Sequence, residues 1–319
     1  MQSFRLNNGI NLPAIGYGTW QAADEILEVA LNEALETGYR HIDTAAAYFN
    51  EQVIGKVLHE WISSGKVTRE ELFITTKLPF HANRERSVEK YLLQSLEKLK
   101  LDYVDLYLIH APFGLIEGDE FFPKDKNGKV IMDPDTDHET LWKGMEAQVD
   151  AGRTKAIGLS NFNIKQMEAI LSSARIPPAA LQSELHLHFQ QKEIVEFCKS
   201  KNIQVISYSS LGTPGTMKSF GKNIPSILED EEVQKISHKH NKTPAQIILR
   251  FLVQKHIAVI PKSTNPKRIR ENFEITDFKL DKNDLEKLTS LDKGLKGQLL
   301  LFHDHFPGIE KHPQYPYPL

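Results

Sequence analysis

The sequence predicts an α/β protein built as a (β/α)8 TIM barrel, on three observations. About eight short apolar runs alternate with amphipathic helical segments along the 319 residues. No Pro- or Ser-rich linker interrupts that rhythm, so residues 1–319 read as one domain. No strand is followed by the Gly-x-Gly-x-x-Gly turn of a doubly wound dinucleotide fold. Composition agrees with a globular chain, at 40% hydrophobic and 25% charged residues. A net charge of -3 supplies no basic excess for nucleic acid or an anionic membrane.

Taken in order, residues 3–18 alternate apolar and polar side chains around Asn8-Gly9, a two-residue hairpin signal. This hairpin precedes the first helix and is placed to close one end of a larger body. Strand-like runs follow at Arg40–Asp43, Leu72–Thr76, Val104–Ile109, Ala156–Leu159, Val205–Ser207 and Ala258–Ile260, with weaker ones at Ala179–Leu181 and Phe273–Phe278. Between them, Val88, Tyr91, Leu92, Ser95, Leu96 and Leu99 keep the spacing of one helix face. Thr243-Pro244 reads as an N-cap followed by proline at the first helical position, and Asp281 with Asp284 opens the last clear helix. Three segments break the rhythm: residues 111–138, residues 212–229, and an aromatic, proline-rich tail from about 297. Two of these leave the C-terminal ends of strands, where long loops carry a barrel's function.

The single cysteine, Cys198, excludes an internal disulfide and lies on an apolar helix face, so it reads as packing in a reducing compartment. The N-terminus has no apolar signal region and no run reaches 18 apolar residues, so a cytoplasmic location is expected.

Each apolar run ends in a polar or ionisable group: Asp43 with Tyr48 beyond it, Lys77, His110, Ser160-Asn161, Gln182, Tyr208-Ser209 and Lys262-Ser263. Any one alone is unremarkable, since a lone histidine is usually a satisfied core residue and a lone lysine a snorkelling one. Their recurrence at the same end of successive strands points to a shared site. A free tyrosine titrates at about 10 and is a weak acid at neutral pH. An ammonium beside it stabilises the phenolate, so Lys77 is expected to lower the Tyr48 pKa while Asp43 holds Lys77 charged. His110 is placed to orient a carbonyl or share the proton. Such a site lacks a nucleophile or a metal cage and needs a hydride source.

The motifs Gly38-Tyr39-Arg40-His41-Ile42-Asp43-Thr44-Ala45 with Glu51 and Gly55, Gly158-Leu159-Ser160-Asn161-Phe162, and Ile260-Pro261-Lys262-Ser263 make the chain resemble the aldo-keto reductase superfamily across essentially its whole length. The resemblance is to its aldose-reductase-like and hydroxysteroid-dehydrogenase-like members. It implies a catalytic tetrad of Asp43, Tyr48, Lys77 and His110, with Tyr48 as proton donor, and NADPH/NADP+ as cofactor. Cofactor contacts carried over by motif are Thr19, Trp20, Asp43, Ser160, Asn161, Gln182, Tyr208, Ser209, Leu211, Lys262, Ser263, Arg268, Glu271 and Asn272. Of these, Lys262, Ser263 and Arg268 match the 2′-phosphate pocket, whereas Lys267 and Arg270 read by spacing as a solvated helix face. The 212–229 loop is expected to fold over the pyrophosphate and make cofactor release rate-limiting. The resemblance implies a monomer, with a small-molecule carbonyl as the expected partner and no nucleic acid, membrane or obligate protein.

Substrate contacts are expected from Trp20, Tyr48, His110, Ala111, Phe122 and Phe302. The family usually carries Trp after the histidine and commonly after Lys-Leu; this chain has Ala111 and Pro79. Two missing walls predict a wider pocket that takes bulky ketones such as steroids, unless Phe302, His303, Phe306 or the tail refill it. Alternative readings are NADP-dependent alcohol oxidation at the same site and a non-catalytic, cofactor-binding relative. A metal hydrolase is disfavoured, because His186 and His188 have no carboxylate cluster beside them.

Overall fold

The computed structural model describes residues 2–213, 215 and 224–318, and within them the chain opens on an antiparallel hairpin of β1 (Ser3–Arg5) and β2 (Asn11–Pro13). Gly9, at φ +88, makes the turn, and the Leu6 and Ile10 backbones bond across it. Barrel strands follow as β3 (Tyr17–Gly18), β4 (His41–Asp43), β5 (Phe73–Leu78) and β6 (Leu106–Ile109). After a small antiparallel pair, β7 (Gly114–Leu115) and β8 (Met132–Asp133), come β9 (Ile157–Ser160), β10 (Ala180–Glu184), β11 (Gln204–Tyr208) and β12 (Ala258–Val259). The eight barrel strands pair in parallel in the order β12-β11-β10-β9-β6-β5-β4-β3. A parallel bridge between Ile15 and Val259 joins the first to the last, with Gly16 N–H donating to the Val259 carbonyl at 2.8 Å. The result is a (β/α)8 barrel.

The helices that cover it are α1 (Asp24–Thr37), α2 (Glu51–Ser63), α3 (Glu85–Leu99), α4 (His138–Asp150), α5 (Ile164–Ser173) and α6 (Lys192–Ser200). Beyond them lie α7 (Glu231–His240), α8 (Pro244–Gln254), α9 (Pro266–Phe273), α10 (Lys282–Ser290) and the short α11 (Phe302–His305). Strands covered by helices outside and side chains inside are buried on both faces, which is why they read as apolar runs. All of β5 is buried, and the periodic face of α3 is buried from Val88 to Leu99. Thr243 and Asp281 cap α8 and α10 with reciprocal side-chain bonds.

Two expectations are corrected. Tyr17–Gly18 is not hairpin but the first barrel strand, because Gly18 lies so near the opposite edge that a Cβ there would sit 2.5 Å from the Ile260 carbonyl oxygen. The run Phe273–Phe278 is not a strand. Phe273 ends α9 and packs on Tyr39, and Ile275 alone plugs the core while the Glu274 and Ile275 carbonyls accept from Gln246 and Arg250. A short alternating stretch thus satisfies its backbone through side chains instead of a ladder.

The hairpin marks the bottom. Asn7 and Asn8 donate their amides to the Pro178 and Lys155 carbonyls, just ahead of β10 and β9, and the Phe4 ring rests 4.1 Å from that of His256. The strands' C-terminal ends therefore open at the opposite face, where β7, β8, α11 and the tail gather.

Candidate active site

At that face lies a cavity of about 1150 Å³. Asp43 ends β4 and Lys77 projects from β5 one strand over, so the sheet itself sets their salt bridge at 2.7 Å. A 3-10 turn over Ala46–Tyr48 then brings the Tyr48 phenol back to 3.3 Å from Lys77 Nζ. Lys77 is fully buried, and its ammonium donates to Asp43 Oδ1, to the Thr44 carbonyl at 2.8 Å and to Tyr48 Oη. An ammonium has three protons and no acceptor, so the Tyr48 oxygen must accept. Its own proton is then left to point into the cavity.

The titration behaviour follows from burial and charge. Burial opposes the Lys77 ammonium, yet Asp43 and Tyr48 hold its pKa above the ordinary lysine value. Tyr48 departs from expectation: burial raises its pKa more than Lys77 lowers it, so the phenol keeps its proton. Burial, with the Lys77 charge nearby, pushes the His110 imidazole well below its ordinary value, and it is neutral at pH 7. Its Nδ1 is buried without a partner. A bare acceptor there costs less than a bare N–H, which favours the tautomer that carries the proton on Nε2.

Asp43 Oδ2 accepts from Gln182 Nε2 at 2.6 Å, which leaves the Gln182 carbonyl oxygen to the cavity. On β9, in register with Gln182, Ser160 accepts from the Asn161 amide, so its hydroxyl proton is available too. Asn161, held at φ +65, is committed internally: its amide also donates to the His110 carbonyl, and its oxygen accepts from Tyr208 Oη at 2.7 Å. The pair left facing the cavity is one donor and one acceptor, Ser160 and Gln182.

Farther along, Thr19, Trp20, Ser209, Leu211, Lys262, Ser263, Arg268, Glu271 and Asn272 all line the cavity. Arg270 pairs with Glu33 at 2.6 Å and Lys267 with Glu271 at 3.7 Å, whereas Lys262 and Arg268 have no carboxylate partner among the described residues. Thr213, Gly215, Ser226, Leu228 and Glu229 also line it; residues 214 and 216–223 of the loop expected over the pyrophosphate lie outside the described residues.

At the substrate end the expectation for Ala111 is corrected. Ala111 is fully buried in a satellite apolar cluster and does not line the cavity. Phe80, which the sequence reading passed over, stacks on His110 at 4.6 Å and packs edge-on to Phe302 and Phe306. With Trp20 and Phe122 these rings wall the pocket, and Ala111 packs in one cluster with Phe80, Phe122, Phe302 and Phe306. His303 bonds Tyr315 Oη instead of entering the cavity. The missed signal was an aromatic residue two past the end of β5. Among the described residues no group of His, Cys, Asp and Glu could hold a metal, and no helix is long and apolar enough to cross a membrane.

Residues 14–293 match the aldo/keto reductase family. The chain is 40% identical over 98% of its length to "Aldo-keto reductase family 1 member C15" of Rattus norvegicus, covering 98% of that protein. It is 39% identical to "Prostaglandin F synthase 1" of Bos taurus, over 99% of this chain and 97% of the relative. Among solved structures, the aldose reductase from Schistosoma japonicum superposes with a TM-score of 0.90 at 38% identity, covering 99% of both chains.

Proposed function

The chain belongs to the aldo/keto reductase family and is an oxidoreductase; on that premise we propose that it reduces aldehydes and ketones with NADPH, the hydride coming from the cofactor and the proton from Tyr48. The observation that carries this reading is the hydrogen-bond arithmetic at Lys77, which leaves the Tyr48 proton free toward the cavity. The cavity suits the cofactor on two counts. Ser160 and Gln182 offer the donor and acceptor that a primary carboxamide needs, and Lys262 and Arg268 line the cavity with no carboxylate partner among the described residues, as a sugar phosphate requires. When bound, the reduced nicotinamide supplies a hydride to the carbonyl carbon.

The chain's own residues do the rest. His110 Nε2–H holds the carbonyl oxygen, and the Phe80 face stacked on the imidazole keeps that ring in place. As negative charge builds on the oxygen, Tyr48 gives up its proton. Lys77, fixed by Asp43, stabilises the phenolate left behind. A phenol of raised pKa still serves, because Lys77 acts mainly on the state in which the proton has left. Beside the rings of Trp20, Phe80, Phe122, Phe302 and Phe306 sits the rest of the substrate, which favours carbonyls with flat apolar bodies. We propose cytoplasmic action as a reductase without an obligate protein partner.

The test is loss of absorbance at 340 nm on NADPH oxidation, across glyceraldehyde, nitrobenzaldehyde and steroidal ketones. Tyr48→Phe is expected to lower kcat by about 10²–10⁴-fold with NADPH affinity retained. Tight cofactor binding without turnover of any carbonyl would favour a non-catalytic relative.

A further inference from the structure

Two residues beyond Gln182 on β10 stands a carboxylate with no place in that chemistry. Glu184 is 1% exposed and has no lysine or arginine partner among the described residues. Instead it collects N–H donors: Leu299 N at 2.8 Å and His186 Nε2 at 3.0 Å on Oε1, and Leu300 N at 3.0 Å on Oε2. Burying a carboxylate on hydrogen bonds alone is costly, and a glutamine would meet one of these donors with a donor of its own. The strand ladder does not require the group.

What it holds is the start of the tail. Leu299 and Leu300 pack against Trp20 and Tyr208, and Leu300 lines the cavity. The next turn is α11, whose Phe302 faces Phe80 and Phe113, with Phe306 following. Just before the held amides, Gly297 lies so close to the β10–α6 loop that a Cβ would sit 1.9 Å from the His188 carbonyl oxygen. The tail therefore meets the barrel at two adjoining places, one through a carboxylate and one through a missing side chain.

We propose that Glu184 is a positioning residue for substrate selection: it pins the backbone of Leu299 and Leu300 to β10 and so sets the tail wall of the carbonyl pocket, independently of cofactor binding. This rests on reading the cavity as a reductase site. Glu184→Gln in the full-length protein is expected to speed hydrogen exchange at the Leu299 and Leu300 amides about tenfold, with the amide of Gln182 unchanged. It should raise KM for a flat aryl ketone about tenfold, while KM for glyceraldehyde and the Kd for NADPH stay within about twofold. Unchanged exchange at those two amides, or an equal loss for both carbonyls and the cofactor, overturns the proposal. Gly297→Ala disturbs the same wall without touching the carboxylate, and it decides the matter if Glu184→Gln does not fold. The same KM split supports the anchored wall, and a wild-type KM for the aryl ketone overturns it. Should the unmodified protein reduce no carbonyl, the proposed function falls, while the exchange measurement still judges the anchor.

Discussion

Lys262 and Arg268 sit among neighbouring cations on one short stretch, yet among the described residues only Lys267 and Arg270 have carboxylate partners. If the unpaired two bind a 2′-phosphate, Lys262→Met should raise KM for NADPH by about ten- to a hundredfold and leave that for NADH nearly unchanged, as steady-state kinetics with both cofactors would reveal. Parallel losses with both would place the lysine elsewhere. Protonation states give a second expectation. Tyr48 is raised and His110 lowered, so both hold the form reduction needs throughout the neutral range. A profile of kcat/KM against pH should be level between about 6 and 9, and a step near the ordinary histidine value would contradict the neutral His110. Asp43, Lys77, His110, Ser160 and Gln182 were legible as candidates because each follows or ends an apolar run, where a polar group is conspicuous. Glu184 was not, since two residues past Gln182 it looks like a strand leaving the core. Phe80 was not either, because an aromatic side chain in a loop carries no periodic signal.

Elements were legible where their backbone bonds are local. The face of α3 and the caps at Thr243 and Asp281 need only neighbours in sequence, and they stand where the spacing put them. The closing strand needs a partner some 240 residues away, and nothing in its own residues announces that. By alternation alone Tyr17–Gly18 therefore continues the hairpin, and Phe273–Phe278 reads as the eighth strand. Gly18 is the physical sign of the true one. Gly18→Ala would drive a methyl against the Ile260 backbone carbonyl. We expect a cost of about 1–3 kcal/mol in urea unfolding, with cofactor affinity reduced as well, because Ile260 leads directly to Lys262. Wild-type stability would mean the seam between β3 and β12 is looser than its hydrogen bonds imply.

The whole molecule keeps several histidines inside, and that sets how it should respond to acid. His41 points into the barrel floor, fully buried, with Nε2 3.2 Å from Thr75 Oγ1. Burial pushes its pKa down to about 4, against opposing pulls from Asp43 and the Pro13 backbone. The unfolded chain binds that proton at about 6.5, so between these values it holds more protons than the folded one. Stability from keeping His41 neutral is therefore complete above about 6.5 and is lost as pH falls toward 4, amounting to at most about 3 kcal/mol. His138, at the β7–α4 side of the barrel, is lowered by burial in the same sense and adds to the slope. The barrel floor thus makes acid a threat to the fold before it alters Tyr48. Urea unfolding of His41→Gln across pH 4–7 should show a dependence on pH shallower by up to one proton than the unmodified chain, even if the variant is less stable at pH 7. An unchanged slope would mean that water or a local opening lets His41 protonate without unfolding the barrel.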